Sequence, residues 1–111
     1  MRLPEADRAV IDAAKIRDYL LAPSHPVGRF KAAFFFGLGY SRDRWGRLEV
    51  DLRGLAISGD AVPGQAIEYG QKYEVRGTLK GPAGHMAQVV TVWIVATGDN
   101  IPRFVTAYPG K

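Results

Sequence analysis

The chain has 111 residues, of which 47% are hydrophobic and 23% are charged. This composition is that of a globular protein, and the length predicts a single domain over residues 1–111. Cysteine is absent from the sequence, which excludes disulfide scaffolds, thiolate zinc sites and cysteine nucleophiles. The 15 Lys and Arg residues outnumber the 11 Asp and Glu residues and give a net charge of +4, which favours anionic partners without identifying one.

No targeting segment or membrane span is predicted. Residues 1–8 carry charges and lack an apolar stretch. The longest strongly apolar stretch, residues 89–96, is far shorter than the ~20 residues that cross a bilayer. We therefore expect a soluble, cytoplasmic protein without a membrane partner, and the sequence leaves its oligomeric state open.

Helical periodicity extends over about residues 9–58. Asp12 is a suitable N-cap for a first helix, which Pro23 ends. A second helix is predicted to begin near His25 and to end in the glycines near residue 39. Ser41 is predicted to cap a third helix that ends at Gly59. The apolar positions that we expect to be buried are Ala13, Ile16 and Leu20 in the first helix, Val27, Phe30, Phe34 and Leu38 in the second, and Trp45, Leu48, Leu52 and Leu55 in the third.

Strand-like alternation follows in residues 71–108. Residues 58–70 are rich in Gly, Pro, Ala and Gln and are predicted to form a surface linker. The predicted strands are 72–80, 85–97 and 103–108. Because short turns join them, we expect an antiparallel meander of three to four strands. Helices followed by strands predict an α+β fold, with about three N-terminal helices packed on one face of the C-terminal sheet.

The turns also predict a register. A turn closed by the two glycines of residues 81–84 places Val75 opposite Val90, and the next turn places Trp93 opposite Thr106. The helix-facing side of the sheet is then predicted to carry Tyr73, Val75, Leu79, Val90, Val92, Ile94, Val105 and Ala107. The opposite, open side is predicted to carry Lys72, Glu74, Arg76, Thr91, Trp93, Thr106 and Tyr108.

This open side has two interpretations. It is either the solvated face of a half-buried sheet or a surface that binds single-stranded nucleic acid, because bases stack on rings while cations hold phosphates. RNA cleavage without a metal requires a base, an acid and cations that stabilise the phosphorane. The catalytic candidates are His25, Lys31, Lys72, Glu74, Thr106 and Tyr108. The candidates for substrate binding are Arg29, Arg76 and Arg103 on phosphate and Trp93 for stacking. By alternation Arg103 fits the open face poorly, so it would act from the end of its strand.

The two histidines differ in context. His25 precedes a predicted helix with Lys31 nearby, so it is either an exposed residue at the helix start or a group that binds phosphate or shuttles protons. His85 lies at a turn, and we expect no role for it. Two histidines 60 residues apart, without thiols, have no metal-ligand spacing, so neither a metal nor another cofactor is predicted.

Several strings resemble an uncharacterised bacterial domain family. They include DYLL at 18–21, HPVGRFK at 25–31, GQKYEV at 70–75, TVWI at 91–94 and PRFVTAYP at 102–109. Related domains look like C-terminal modules of contact-dependent or polymorphic toxins, and small stand-alone members resemble one half of a toxin–antitoxin-like gene pair. The resemblance implies a small antitoxin-like or immunity-like protein partner.

The order of helices and meander is also similar to the ribonuclease superfamily that includes barnase, EndoU and RelE. There the active site lies on the sheet face away from the helices, which is the face that alternation assigns here. Two functions therefore remain open: a metal-independent endoribonuclease of toxin type acting on RNA, or a non-enzymatic module whose open face binds another protein.

Overall fold

Three helical segments precede a four-stranded sheet in the computed structural model, which describes residues 1–110. After a 3-10 turn at Ala6–Arg8, helix α1 (Ala13–Lys15) continues directly into a π-helical segment (Ile16–Leu20), followed by α2 (Arg29–Gly37) and α3 (Trp45–Ser58). The strands are β1 (Asp60–Ile67), β2 (Gly70–Lys80), β3 (Met86–Ala96) and β4 (Arg103–Pro109). They form one antiparallel sheet in the order β1-β2-β3-β4, which confirms the predicted α+β fold.

Capping predicted the first helical segment and periodicity the third. The predicted cap Ser41 is wrong, because α3 begins at Trp45 and Ser41 lies in the preceding turn, where its Oγ accepts from the Arg44 amide at 3.3 Å. The Asp12 side chain accepts a hydrogen bond from the Ala14 amide at 3.0 Å and so caps α1. Gly59 follows the last residue of α3, as expected. The predicted inward positions Ile16 and Leu20 are buried, as are Leu48, Leu52 and Leu55 of α3.

The buried face of α2 differs from the prediction. Val27 and Phe30, which we expected in the core, are 58% and 71% exposed. Phe35 is fully buried instead, and Phe34 is only partly buried against the core. Because α2 begins at Arg29, residue 27 lies in the preceding turn, and the helix face that meets the core is shifted by one residue.

The predicted linker at residues 58–70 is wrong, because most of it is strand β1. Val62 lies opposite Glu74 of β2, and the register shifts between Pro63 and Ala66. The strand is exposed along most of its length and carries a proline and a glycine, which disguises it in the sequence. An edge strand tolerates both residues because only one of its sides is paired within the sheet.

The β2–β3 register is one residue away from the predicted one. Val75 lies opposite Thr91, not Val90. The loop is closed by Gly81, whose amide donates to the His85 carbonyl at 3.0 Å, and Gly84 inside it has a left-handed φ of 88°. A loop of three residues with glycine in this conformation replaces the predicted turn of two.

The β3–β4 pairing also differs, because it contains an irregularity. Val92 lies opposite Thr106, whereas Trp93 lies opposite Phe104, so Val105 is an extra residue on β4. Such a bulge reverses the alternation on one side of it. It places Arg103 in the same row as Ile94 and hence on the open face, where alternation alone fitted it poorly.

The two faces of the sheet are therefore partly exchanged relative to the prediction. Tyr73, Val75, Leu79 and Ala107 lie on the helix-facing side as expected. The open side carries the predicted polar residues Lys72, Glu74, Arg76, Thr106 and Tyr108. Thr91 and Trp93 move to the helix-facing side, and three β3 residues take their places on the open side: Val90, Val92 and Ile94.

The segment before α1 extends the sheet at β4. The Val10 amide donates to the Pro102 carbonyl, and the Phe104 amide donates to the Val10 carbonyl, both at 2.9 Å. Residues 9–11 thereby hold the helical layer beside the start of β4. Within residues 1–110, none of the helices has the length and apolar character needed to cross a membrane.

Candidate functional site

Tyr19 is the centre of a first polar cluster. Its hydroxyl accepts a hydrogen bond from Lys31 Nζ at 3.0 Å and lies 3.3 Å from Thr106 Oγ1. The His25 ring packs edge-on against the Tyr19 ring, with centroids 5.1 Å apart. Three of the predicted catalytic residues thus converge on a tyrosine that was not among them. We call Tyr19, His25, Lys31 and Thr106 the Tyr19 cluster.

The π-helical segment and the following loop position Tyr19. The Leu21 amide donates to the Ile16 carbonyl at 3.0 Å, which is the five-residue spacing of a π-helix. Gly28 lies against the Tyr19 backbone so closely that a β-carbon there would collide with the carbonyl oxygen. A glycine is therefore required for this loop to close over Tyr19. π-helical segments frequently occur at functional sites.

Electrostatics make the Tyr19 hydroxyl more acidic than an ordinary phenol. Burial acts to raise the pKa of Tyr19, but the hydrogen bonds from Lys31 and Thr106 and the positive charges of Lys31 and Lys15 outweigh it. The net effect is a lowered pKa. The Lys31 ammonium is 5.3 Å from the ring centroid and lies at the hydroxyl end of Tyr19.

His25 has a structural role in addition to its contact with Tyr19. Its Nδ1 accepts hydrogen bonds from the Val27 amide at 3.0 Å and the Gly28 amide at 2.9 Å. These bonds fix the turn that leads into α2, and the Arg29 amide donates to the His25 carbonyl at 3.1 Å. Because Nδ1 is occupied, Nε2 is the nitrogen of His25 that can face a ligand.

A second polar cluster lies on the open face of the sheet. The Tyr108 hydroxyl donates to Glu74 Oε2 at 3.4 Å, and Arg76 Nη2 lies 3.6 Å from Glu74 Oε1. Burial raises the pKa of Tyr108, and the charge and hydrogen bond of Glu74 raise it further. Tyr108 therefore keeps its proton and holds the carboxylate. We call Glu74, Arg76 and Tyr108 the Glu74 cluster.

Strand β4 connects the two clusters. Thr106 and Tyr108 lie two positions apart on the open face, which corresponds to about 7 Å along a strand. Thr106 also shares a row with Val92 and Glu74, so its backbone lies two strands, or about 10 Å, from that of Glu74. Thr106 thus connects the Tyr19 hydroxyl to the row of the sheet that contains Glu74.

The remaining basic candidates occupy different positions. Lys72 and Arg103 share a row on the open face, one on either side of Ile94. Arg29 is exposed on α2, with its guanidinium 4.8 Å from the centre of the exposed Phe30 ring. Lys72 and Arg103 therefore lie on the open face, whereas the Arg29 guanidinium lies near the Phe30 ring.

Trp93 is not on the open face, which corrects the prediction that it stacks on bases. Its side chain is 0% exposed, and its Nε1 donates to Thr91 Oγ1 at 2.8 Å. The Thr91 hydroxyl in turn donates to the Val75 carbonyl at 2.9 Å. Phe104 packs edge-on against the indole at 5.3 Å. Trp93 is therefore a core residue, because the one-residue change of register turned it inwards.

Reasoning from the sequence missed Tyr19. The DYLL string contains it, but its helical position carries no sign of a polar partner. The contact with Thr106 joins residues 87 positions apart and depends on the fold. The available signal was the position of Tyr19 between Ile16 and Leu20, which both face the core. A tyrosine hydroxyl that is half-buried at such a position requires a hydrogen-bond partner.

Comparison with known proteins gives a family and a fold. The family described as "Domain of unknown function (DUF6883)" matches residues 2–111. No functionally curated protein matches the chain. A solved chain in the "Contact-dependent growth inhibition toxin - immunity protein complex from Klebsiella pneumoniae 342" is similar in structure, with a TM-score of 0.71 and 20% sequence identity. The alignment covers 96% of this chain and 97% of that chain, and it indicates a shared fold.

Proposed function

The chain belongs to the DUF6883 family, and on that premise we propose that it is a toxin-type endoribonuclease that cleaves RNA on the open face of its sheet. The observation that carries this proposal is the pair of polar clusters to which β4 contributes Thr106 and Tyr108. Together the clusters contain a carboxylate, two tyrosines, a lysine and an arginine. The structural similarity to a chain of a toxin–immunity complex supports a toxin-related role.

Cleavage of RNA by its own 2′-hydroxyl needs few protein groups. A base removes the 2′ proton, cations stabilise the charge that develops on the phosphorus oxygens, and an acid protonates the leaving 5′-oxygen. Side chains of the two clusters can fill each of these roles without a metal ion. We therefore propose a metal-independent reaction that yields a 2′,3′-cyclic phosphate and a 5′-hydroxyl.

Glu74 is the proposed general base. Its carboxylate is 41% exposed and is held from two sides by Arg76 and Tyr108, which fixes its direction on the open face. Arg76 is 58% exposed, so its guanidinium can turn to a phosphate while it remains close to Glu74. A positioned base of this kind accelerates a reaction by ~10²–10⁴-fold.

The basic residues of the open face are the proposed phosphate contacts. Lys72, Arg76 and Arg103 lie on β2 and β4, on either side of β3. Together with the net charge of +4 they attract the RNA backbone. Arg29, on the exposed side of α2, is a proposed contact for RNA that extends beyond the sheet.

Cleavage of total bacterial RNA in the presence of EDTA tests this proposal. We expect the wild-type chain to give discrete fragments, from which the cleaved bonds are mapped. Glu74→Gln should reduce the cleavage rate by ~10²–10⁴-fold because it removes the base. Glu68→Gln, in the exposed β1–β2 turn, is the matched control and should cleave like the wild type.

Three outcomes would each contradict a part of the proposal. RNA that stays intact with folded wild-type protein over a range of pH would exclude a ribonuclease that acts alone. Cleavage that continues unchanged in Glu74→Gln would remove the open face from the mechanism. Loss of cleavage in EDTA, restored by a divalent cation, would contradict the metal-independent step.

A second candidate function rests on the apolar residues of the open face. Val92 and Ile94 lie there, half-buried, between the polar rows of β2 and β4. An apolar stripe edged by charges also fits a protein interface. A non-enzymatic module of a toxin–antitoxin-like gene pair would bind the neighbouring gene product, and Val92→Arg should abolish co-purification. Retained co-purification would place the interface elsewhere.

A further inference from the structure

The proposed reaction needs an acid, and the Glu74 cluster does not supply one. In an in-line displacement the base and the acid lie on opposite sides of the phosphorus. The Tyr108 hydroxyl is on the same side as the base, since it donates its proton to the Glu74 carboxylate. Tyr108 is therefore a positioning residue for Glu74, and the acid has to come from across the open face.

Tyr19 lies beside β4, across β3 from Glu74. Its hydroxyl reaches Thr106, which lies in the same row as Glu74 but two strands away. The backbones of Thr106 and Glu74 are separated by two inter-strand steps, on the order of 10 Å. A separation of this order between β2 and β4 is enough for a phosphate to lie between groups that the two strands position.

We infer that Tyr19 is the general acid of the proposed cleavage, and this inference rests on the proposed ribonuclease function. As the 2′-oxygen attacks phosphorus, its proton passes to Glu74 and the O2′–P bond forms. The P–O5′ bond breaks, and the 5′-oxygen takes the proton of the Tyr19 hydroxyl. The products are a cyclic phosphate, a 5′-hydroxyl and a Tyr19 phenolate, which regains a proton from solvent as Glu74 releases one.

The neighbours of Tyr19 suit this role. Lys31 donates to the phenol oxygen at 3.0 Å, so its ammonium stabilises the phenolate that forms when the proton leaves. The Thr106 hydroxyl, at 3.3 Å, can accept from the phenol before transfer and donate to the phenolate after it. The lowered pKa of Tyr19 agrees with this arrangement.

Backbone geometry fixes the acid in place. Tyr19 lies in the π-helical segment, Gly28 closes against its carbonyl, and His25 packs on its ring. The adjacent residue Asp18 forms ion pairs with Arg17 and with Arg42. Such fixed positioning is required for a group that must meet one oxygen of a bound phosphate.

A substrate with sulfur in place of the leaving 5′-oxygen tests this assignment. A thiolate leaves without being protonated, because a thiol has a far lower pKa than an alcohol. The sulfur is placed at a bond that the wild-type chain cleaves in the oxygen substrate. Tyr19→Phe should slow cleavage of the oxygen substrate ~10²–10⁴-fold, yet cleave the sulfur substrate within a few-fold of the wild-type rate. Glu74→Gln should be slow on both, because the 2′ proton must still be removed.

Matched variants keep the test decisive. Tyr69→Phe removes the hydroxyl of an exposed tyrosine and should behave as the wild type on both substrates. Lys31→Met, which leaves the Tyr19 ring in place, should show a smaller loss on oxygen and the same recovery on sulfur. If Tyr19→Phe does not fold, Lys31→Met is used to test the acid role instead.

The outcomes separate the two proposals. Equal slowing of both substrates by Tyr19→Phe, or no slowing of either, would overturn the acid role of Tyr19 while the ribonuclease function stands. A folded wild-type chain that cleaves neither substrate would overturn the ribonuclease function and the inference with it. If the cleavage rate on the sulfur substrate recovers for Tyr19→Phe but not for Glu74→Gln, the result supports both the ribonuclease function and the acid role of Tyr19.

Discussion

A threonine at position 91 shows how a polar residue is accommodated in the core. Its hydroxyl accepts from the Trp93 indole and donates to the Val75 carbonyl, so both partners are satisfied although the three groups are buried. A threonine two residues from a tryptophan suggested an exposed polar face in the sequence. The hydrogen bonds remove the cost that would otherwise keep Thr91 at the surface.

Thr91→Val is predicted to lower the free energy of unfolding by about 1–3 kcal/mol. Valine fills nearly the same volume, but it leaves the Trp93 N–H buried without its acceptor. Chemical denaturation with urea measures the difference, and Thr97→Val at an exposed site is the matched control. A loss below about 0.5 kcal/mol for Thr91→Val, as at an ordinary surface position, would contradict this account.

Among single residues, several of the predicted candidates lie in the two polar clusters. Lys31, Thr106, Glu74 and Tyr108 were predicted, and all four make contacts in the two polar clusters. Tyr19 and Trp93 were misjudged, in opposite directions. Both errors have the same cause. Whether a side chain is buried depends on which residues the fold places opposite it, and alternation along the sequence does not carry that information.

Among the elements, the helices and the paired strands were predictable, whereas register and one strand were not. Caps such as Asp12 act through local hydrogen bonds, and helix faces repeat over short distances, so the sequence carries both. Register depends on a single loop conformation: Gly84 adopts a left-handed φ that lengthens the β2–β3 loop by one residue. Strand β1 lacks alternation because it is a mostly exposed edge.

The π-helical segment is tied to the turn before α3 by ion pairs. Asp18 binds Arg17 at 2.9 Å and Arg42 at 2.8 Å, and Arg42 also donates to the Arg17 carbonyl at 3.1 Å. The hydrogen bond from Arg17 lowers the pKa of Asp18 to about 2, burial opposes this, and Arg42 adds to the lowering. The contacts help to hold the segment that carries Tyr19.

Asp18→Asn is predicted to change how the thermal stability of the chain depends on pH in the acidic range. Because the pKa of Asp18 is lower in the folded chain than in the unfolded chain, its stabilising effect is present above about pH 4 and is lost as the pH falls towards 2. The thermal unfolding temperature of the wild type should therefore fall more steeply over this range than that of Asp18→Asn. Asp7→Asn, another exposed aspartate, should follow the wild type, and parallel curves for all three would contradict the prediction.

At the scale of the whole molecule, the hydrophobic core and the Glu74 cluster lie on opposite faces of the sheet. The helices cover one face of the sheet, where the core including Trp93 and Phe35 lies. The other face is left to the Glu74 cluster, and the Tyr19 cluster meets it at β4. In the proposed function, this arrangement presents a carboxylate and a tyrosine to RNA from two elements that the core holds in place.

The central claim is that the open face cleaves RNA through the 2′-hydroxyl. The most direct measurement is mass spectrometry of the ends formed when the wild-type chain, in EDTA, acts on an oligoribonucleotide and on the same oligonucleotide with one 2′-deoxy residue at the cleaved position. The account predicts a 2′,3′-cyclic phosphate and a 5′-hydroxyl from the first and an intact second. Cleavage of both, or ends that carry a 5′-phosphate, would contradict it.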